Sequence, residues 1–150
     1  MHASSDLPRI VVVDDDRTIR DVVSLTLRSS GQIEVVGLAA DGIGALKVVE
    51  DEQPDVVLLD LMLGAERGTD LILPLLRSAP RTMIAMMTSV PAELEELNSL
   101  RAGAFVYYEK TMLSALARFI ADDLSLFQRA LGGEDVVAPS SLRRRAEPTG

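Results

Sequence analysis

The sequence contains no cysteine and a single histidine, His2. Without cysteine the chain can form neither a disulfide nor a thiolate nucleophile, and it cannot bind zinc through sulfur ligands. Because His2 lies at the amino terminus, where chains are usually poorly ordered, histidine-based acid/base catalysis and an internal phosphohistidine are excluded as well. Any chemistry of this chain must therefore come from carboxylates, hydroxyls and amines.

The sequence also lacks an excess of positive charge and any long apolar run. Its net charge is -8 at pH 7, which argues against binding to nucleic-acid phosphates. No apolar run approaches the length of about 20 residues that spans a bilayer, and the first residues lack the basic and apolar regions of a signal peptide. We therefore expect a soluble, cytoplasmic protein that makes no direct contact with nucleic acid and none with a membrane.

What the sequence does contain is a set of short, strongly apolar segments. The one that organises the chain is residues 56–59, four apolar residues between Asp55 and Asp60. Such a run is typical of a strand that is buried on both faces of a parallel sheet. Similar runs occur at 10–13, 34–37, 83–87 and 104–108. Because helical patterns separate these runs, the sequence predicts a three-layer α/β domain with a five-stranded parallel sheet.

The helical segments carry signals for their ends and for one interruption. Asp16 is a suitable N-cap for the first helix, and Gly31 is a suitable stop. The third helix is predicted from about Thr69 to Ser78, and Pro74 lies inside it. Since an interior proline removes a hydrogen bond, we expect a kink or an early break there. Residues 61–68 are predicted to form a loop.

The last two helices differ in their apolar patterns. Residues 91–102 form a weakly amphipathic, acidic segment that contains Leu94, Leu97 and Leu100. Residues 112–131 have the clearest stripe of the chain, formed by Leu113, Leu116, Ala117, Ile120, Leu124, Phe127 and Leu131. A second face of this helix carries Ala115, Phe119, Leu126 and Ala130. We place the domain at residues 7–131 and interpret residues 132–150 as a flexible C-terminal tail.

Polar residues stand at the carboxyl ends of four predicted strands. They are Asp14 and Asp15, Asp60, Thr88 and Lys110. In an open parallel sheet these ends meet at one edge, where functional sites form. Three converging carboxylates repel one another unless a hard cation neutralises them, and oxygen ligands suit Mg²⁺. A lysine and a hydroxyl beside that cation can hold an anion, which predicts a phosphoryl site with Asp60 as the nucleophile.

Each of these residues also has an ordinary structural interpretation. Thr88 could be a turn residue and Lys110 a solvated charge, because polar residues at strand ends are common. Their occurrence together on several connections of one predicted edge favours the functional interpretation.

With these residues in place, the sequence resembles the receiver domain of two-component response regulators over about residues 9–131. The acidic pair of that family resembles Asp14-Asp15, its phosphoacceptor Asp60, its hydroxyl residue Thr88 and its lysine Lys110. The resemblance implies a flavodoxin-like, doubly wound sheet with strand order 2-1-3-4-5.

The resemblance further implies the roles of individual residues. It implies that Mg²⁺ is bound by Asp15, Asp60 and the backbone carbonyl of Met62, with Asp14 acting partly through water. The aromatic residue that switches with Thr88 in this family corresponds to Tyr107, which is expected to turn inward into the space that Thr88 vacates when Thr88 hydrogen-bonds to the phosphate. The two residues that tune the lifetime of the phosphorylated state correspond to Met62 and Val90.

The function implied by the resemblance is a phosphorylation switch and not an enzyme. Asp60 would accept a phosphoryl group from a partner histidine kinase or phosphotransfer protein and would lose it slowly by autodephosphorylation. The output face would comprise helix 91–102, strand 104–108 and helix 112–131, which is also the candidate surface for a homodimer. The signal would be a population shift between two packings.

Two short segments depart from the family pattern. Leu63-Gly64 stands where receivers usually have a Met-Pro pair, and Thr111 follows Lys110 where proline is frequent. Neither change removes one of the chemical groups, but both alter loop geometry and thereby the partners that fit.

Three alternatives are weighed against a stand-alone receiver. The first is a receiver fragment of a DNA-binding regulator. Segments 34–37 and 40–42 resemble those of receivers that usually precede a helix-turn-helix domain. The second is an aspartyl-phosphate phosphatase, but the acid that such enzymes need is replaced by Met62. The third is a nucleotide or flavin module, for which no glycine-rich phosphate-binding motif occurs.

Overall fold

The computed structural model describes residues 6–137, 139 and 140, and its centre is a five-stranded parallel sheet. The strands are β1 (Arg9–Val13), β2 (Glu34–Ala39), β3 (Val56–Leu59), β4 (Met83–Thr88) and β5 (Val106–Glu109). Their spatial order is β2-β1-β3-β4-β5. This order confirms the predicted doubly wound, flavodoxin-like fold.

Five α-helices cover the two faces of the sheet. They are α1 (Arg17–Ser29), α2 (Gly42–Glu52), α3 (Gly68–Ser78), α4 (Ala92–Ala102) and α5 (Leu116–Leu131). Alternate residues of each strand enter different apolar clusters: Val11 and Val13 pack with α2 and α3, whereas Ile10 and Val12 pack with α1 and α5. The result is a three-layer domain in which the central strands are buried on both faces.

The strand register aligns the ends that carry the polar residues. Val13 pairs with Leu59, and Leu59 pairs with Met86, so the chain leaves β1 and β3 at the same level. Thr88 pairs with Glu109 at the end of the next two strands. Asp14, Asp60, Thr88 and Lys110 therefore all lie at the carboxyl edge of the sheet.

The structure corrects two expectations for the segment that follows β3. Residues 61–68 are not only a loop, because Met62–Leu63 pairs antiparallel with Glu66–Arg67 in a small hairpin. In addition, α3 continues through Pro74 to Ser78, so the early break is wrong. Leu71, Ile72 and Leu75 are buried on either side of the proline, and this packing keeps the helix intact although one hydrogen bond is lost.

The last strand and helix also begin later than predicted. β5 starts at Val106 and not at 104, because the Ala104 N–H donates to the carbonyl of Ser99 and so closes α4. The predicted helix 112–131 is divided into a 3-10 segment, Lys110–Ala115, and α5. This tight segment reverses the chain between β5 and α5.

The predicted apolar residues of α4 are largely exposed to solvent, whereas several of those of α5 are buried. Leu94 and Leu97 are 68% and 59% exposed, and α4 instead buries Ala92, Glu96 and Ser99. The stripe of α5 is buried at Leu116, Ile120 and Leu124, whereas Leu131 is 39% exposed. The predicted second face is half-buried, and Phe119 packs against the core.

The chain after α5 is described only in part. The hydroxyl of Ser140 donates to Glu96 Oε1 at 3.1 Å, so the described end of the chain contacts α4. Much of the predicted tail, 132–150, lies outside the described residues. Among the helices that the structure describes, none has the length and apolar character needed to cross a membrane.

Candidate functional site

Three carboxylates form an acidic cluster at the carboxyl edge of the sheet. Oxygen atoms of Asp14, Asp15 and Asp60 lie within 4.8 Å of one another. Asp14 and Asp60 are 4% and 7% exposed, whereas Asp15 is open to solvent. Buried carboxylates so close together are unfavourable without a counter-charge, and their oxygen-only donor set fits a hard divalent cation such as Mg²⁺.

Lys110 supplies one positive charge to this cluster. Its Nζ lies 3.1 Å from Asp60 Oδ2 and 3.2 Å from Asp14 Oδ2. Burial on its own lowers the pKa of Lys110, but Asp60 and Asp14 together raise this pKa above its ordinary value. Lys110 is therefore a firmly protonated cation that contacts two of the three carboxylates.

The pKa of Asp14 is shifted by burial as well as by its charged neighbours. Burial raises the pKa of Asp14, and the nearby carboxylate of Asp60 raises it further. The Asp16 N–H, which donates to Asp14 Oδ1 at 2.9 Å, and Lys110 act in the opposite direction. The net shift of the Asp14 pKa is upward, mainly because burial disfavours its charged form.

Asp14 and Asp15 are each held by a residue that the sequence analysis did not identify. Arg20 Nη1 donates to the backbone carbonyl of Asp14 at 2.8 Å, and the Gly64 N–H donates to Asp15 Oδ2 at 3.0 Å. Asp16 caps α1 as predicted, since its Oδ1 accepts from the N–H groups of Thr18 and Ile19. Arg20 could have been found in the sequence, because it lies one helical turn after that cap and so on the same side of α1.

Gly68 allows the loop after Asp60 to close. Its N–H donates to the carbonyl of Leu61 at 2.7 Å, and a Cβ at this position would overlap the backbone carbonyl oxygen of Asp60. The requirement for glycine here is therefore close approach of two backbone segments. Any side chain would displace the segment that presents Asp60.

The hairpin within this loop is tied to two helices. Glu66 Oε1 accepts from the Gly42 N–H at the start of α2, at 3.1 Å. Arg67 forms an ion pair with Glu95 of α4, at 3.5 Å. The loop that follows Asp60 is thus connected to elements on its own face of the sheet.

A second set of contacts surrounds Thr88. The Val90 N–H donates to Thr88 Oγ1 at 3.3 Å, and the hydroxyl of Tyr107 donates to the Val90 carbonyl at 2.7 Å. Thr88 and Tyr107 are both buried, and the ring of Tyr107 already points into the core. Burial, together with nearby glutamates that include Glu95, raises the pKa of Tyr107 strongly, so its hydroxyl is a neutral donor.

Met62 and Val90 come from the two loops that border the site. Met62 is 48% exposed at the start of the hairpin, and its N–H lies 3.5 Å from Asp60 Oδ1. Val90 is half-buried and packs against the core. Neither side chain can hydrogen-bond to a water strongly.

The fold and the site together define a class of protein: a doubly wound α/β domain with a lysine-paired acidic cluster at the carboxyl ends of its strands. The chain belongs to the response regulator receiver domain family, which matches residues 10–118. The resemblance noted in the sequence is therefore confirmed.

Relatives of this chain include a transcriptional regulatory protein and a protein-glutamate methylesterase. The chain is 35% identical over 102 residues to the uncharacterized transcriptional regulatory protein YhcZ of Bacillus subtilis, covering 68% of this chain and 48% of that protein. It is 35% identical over 144 residues to protein-glutamate methylesterase/protein-glutamine glutaminase 5 of Myxococcus xanthus, covering 94% of this chain and 41% of that protein. The chain thus spans about half the length of such relatives.

Among solved structures, a similar one is a CheY-like response regulator receiver domain protein from Methanospirillum hungatei. Its TM-score is 0.73 at 29% identity, and the match covers 83% of this chain and 99% of that chain. Receiver domains typically carry a phosphorylated aspartate and Mg²⁺ in an acidic pocket, and they interact with histidine kinases or phosphotransfer proteins. The receiver itself is generally not an enzyme. In the methylesterase relative, the region that matches this chain is 41% of a longer protein.

Proposed function

We propose that this chain is a phosphorylation switch in which Asp60 accepts a phosphoryl group from the phosphohistidine of a sensor histidine kinase or a histidine phosphotransfer protein. The observation that carries the proposal is the position of Lys110, whose Nζ contacts both Asp60 and Asp14 while Asp15 stays open to solvent. Lys110, together with a hard cation bound by the acidic cluster, could hold the oxygens of a phosphoryl group.

In the proposed reaction, a carboxylate oxygen of Asp60 forms a bond to phosphorus while the bond from phosphorus to the histidine nitrogen breaks. Lys110 stays protonated and pairs with the transferred oxygens. Mg²⁺, when bound, would supply further charge neutralisation, and Asp15, Asp60 and the backbone carbonyl of Met62 would hold it, with Asp14 acting partly through water. The donor's imidazole leaves with the electrons of the broken bond.

The proposed switch follows from the contacts of Thr88. When the hydroxyl of Thr88 turns to a phosphoryl oxygen, it gives up the Val90 N–H. Because Tyr107 is already buried and bonded to the Val90 carbonyl, the change is a movement of the segment 88–92 relative to Tyr107. This movement would alter the face formed by α4, β5 and α5.

We propose that the receiver occupies residues 7–131 and that residues 132–150 form a tail. We further propose that the protein is a stand-alone receiver in the cytoplasm. A second form of the proposal, the receiver part of a DNA-binding regulator, is favoured by the transcriptional relative of which the chain covers 48%. An immunoblot of the native host distinguishes the two: the first predicts a protein of 16.2 kDa, and the second a protein about twice as large.

Phosphorylation of purified protein tests the chemistry. With Mg²⁺ and acetyl phosphate, the wild-type protein should gain one acid-labile phosphoryl group, and Asp60→Asn should gain none because the amide is not a nucleophile. Asp16→Asn is the matched control, since asparagine caps a helix as well as aspartate does. Full labelling of Asp60→Asn, measured by intact mass, would contradict the assignment.

A further inference from the structure

The chain leaves α5 through an ordered turn. Gly133 has a φ of 93°, a backbone conformation that favours glycine. Its N–H donates to the Ala130 carbonyl at 3.0 Å, and the Glu134 N–H donates to the Arg129 carbonyl at 3.1 Å. These two bonds form a Schellman motif, and an ion pair between Arg129 and Glu134, at 3.3 Å, lies on the same turn. The turn therefore fixes the direction in which the chain after α5 begins.

The chain that follows this turn reaches α4, which packs on the other face of the sheet. α5 packs in the apolar cluster that contains Tyr108, whereas α4 packs in the cluster that contains Tyr107. Both tyrosines belong to β5, which is an edge strand. The hydroxyl of Ser140 donates to Glu96 Oε1 at 3.1 Å. The segment after α5 thus joins the two helices that flank this edge strand.

The side of α4 that Ser140 contacts is acidic. Glu96 is only 5% exposed, which is rare for a glutamate. Glu93 lies three positions earlier and so on the same side of α4, and it is exposed to solvent. Glu95 lies on a different side, where it pairs with Arg67 at 3.5 Å. The contact with Ser140 therefore brings the tail to the particular side of α4 that Glu93 and Glu96 form.

The sequence that follows Ser140 has the opposite charge. Three consecutive arginines stand at 143–145, outside the described residues. Three extended residues span at most about 10 Å, so the first arginine is within reach of both Glu93 and Glu96. A single exposed ion pair is weak, but the contact of Ser140 keeps the arginines at a local concentration of about millimolar or more. Arginine can also bind a carboxylate through two parallel hydrogen bonds.

We propose that residues 141–145 bind to the side of α4 formed by Glu93 and Glu96, so that the chain's own arginine-rich tail occupies this surface. A partner that uses the same side of α4 must then displace the tail. The inference goes beyond the proposed phosphorylation of Asp60 and does not depend on it.

A spin label on the tail tests the proposal in the full chain. Because the sequence contains no cysteine, Ala146→Cys provides a single site for a nitroxide. The nitroxide should broaden the amide NMR signals of α4 and leave those of β2, at the opposite edge of the sheet, unchanged. The same sample with the nitroxide reduced is the reference. Broadening that is confined to another surface, or to the tail itself, would overturn the proposal.

A matched pair of variants separates binding of the arginines from the effect of Ser140 alone. Glu93→Gln removes one charge from the proposed surface and leaves Glu96 in place, so it should lower the broadening of α4 about threefold. Replacement of all three arginines by glutamine should lower it at least as much. Glu95→Gln makes the same change of charge on another side of the helix and should have no such effect. Unchanged broadening in Glu93→Gln, or an equal loss in Glu95→Gln, would contradict the assigned surface.

A mixing experiment identifies the copy that supplies the tail. Spin-labelled protein without an NMR isotope is mixed with isotope-labelled protein that carries no nitroxide. The amides of α4 should then remain sharp, because each tail binds its own α4. Broadening as strong as that within one chain would show that the tail of a second copy binds there, which would overturn the intramolecular assignment. All samples lack Mg²⁺ and a phosphodonor, so failure here leaves the proposed function standing, and an unlabelled Asp60 leaves this inference standing.

Discussion

Several individual residues support the site by contacts that involve the backbone and contribute no reactive group. Gly68 leaves space for the carbonyl of Asp60, Gly64 donates its N–H to Asp15, and Arg20 holds the carbonyl of Asp14. These contacts hold the carboxylate of Asp15 and the backbone carbonyls of Asp14 and Asp60 in place. The acidic cluster therefore depends on residues that carry none of its chemistry.

Gly68→Ala tests this dependence. A methyl group that overlaps the Asp60 carbonyl forces the loop to move, which should cost about 1–3 kcal/mol of the free energy of unfolding and slow labelling by acetyl phosphate. Urea unfolding and the labelling rate measure the two effects. Gly132→Ala is the control, because a Cβ there meets ordinary contacts and φ is negative. Unchanged stability and labelling of Gly68→Ala would contradict the steric argument.

The lifetime of the phosphorylated state is a second property of single residues. Hydrolysis requires a water held in line behind the phosphorus, and Met62 and Val90 offer it no strong hydrogen bond. We expect slow spontaneous decay in the wild type. Met62→Asn with Val90→Glu should speed decay by about tenfold, which is about 1.4 kcal/mol of barrier. The half-life of radiolabelled protein after removal of the donor measures this.

Two results would contradict the lifetime prediction. A wild-type half-life of seconds would show that other groups position the water. A double variant that decays no faster would show the same. Each single variant should be measured beside the double variant, because the two side chains border one site and need not act additively.

At the scale of whole elements, β5 is joined to α5 by a buried polar contact. The hydroxyl of Tyr108 donates to Asp123 Oδ2 at 2.5 Å, and Tyr108 and Asp123 are 0% and 1% exposed. Tyr107, its neighbour in the strand, points to the opposite face of the sheet and bonds to the loop before α4. Two consecutive tyrosines thus connect one edge strand to elements on both faces.

Removal of the Tyr108 hydroxyl should destabilise the domain. Tyr108→Phe leaves a buried carboxylate without that donor, which should cost about 1–3 kcal/mol in urea unfolding. Tyr107→Phe is the comparison, because it removes a donor from a backbone carbonyl in a half-buried loop and should cost less. A larger loss in Tyr107→Phe than in Tyr108→Phe would contradict this ranking.

At the scale of the whole molecule, exposed apolar residues occur on every helix, and α4 carries two of them. Leu94 and Leu97 project from α4, and Leu25 is 66% exposed on α1. The second face predicted for α5 is half-buried, so α4 supplies the more exposed apolar part of the 91–131 face. If that face forms a homodimer on phosphorylation, the leucines of α4 should contribute most of the apolar contact.

Light scattering with and without beryllofluoride tests the dimer. The mass should rise from 16.2 kDa to about twice that value when the analogue binds. Leu94→Ser with Leu97→Ser should weaken the dimer at least about tenfold, whereas Leu25→Ser, on another helix, should not. A monomer in both states would contradict the homodimer. Equal weakening by Leu25→Ser would contradict the assignment of the interface to α4.

Much of the fold could be predicted because the signals for strands and helices are local. Buried strands need consecutive apolar residues, and amphipathic helices need apolar residues at their own period, so the positions of β1, β3 and β4 are visible in the sequence. Boundaries were predicted less well at β5 and α5, because hydrogen bonds to Ser99 and the 3-10 turn decide them. The strand order came from resemblance to a family and not from the pattern.

The sequence by itself determined which polar residues stand at strand ends, since a strand-end position is a local property. Only the tertiary structure decided that Glu109 reaches α4, that Gly68 lies against Asp60 and that Asp123 bonds to Tyr108. The burial of Glu96 and the exposure of Leu94 on α4 were decided in the same way. These contacts join residues from different elements, and their distances depend on how the layers pack, which no local pattern of residues encodes.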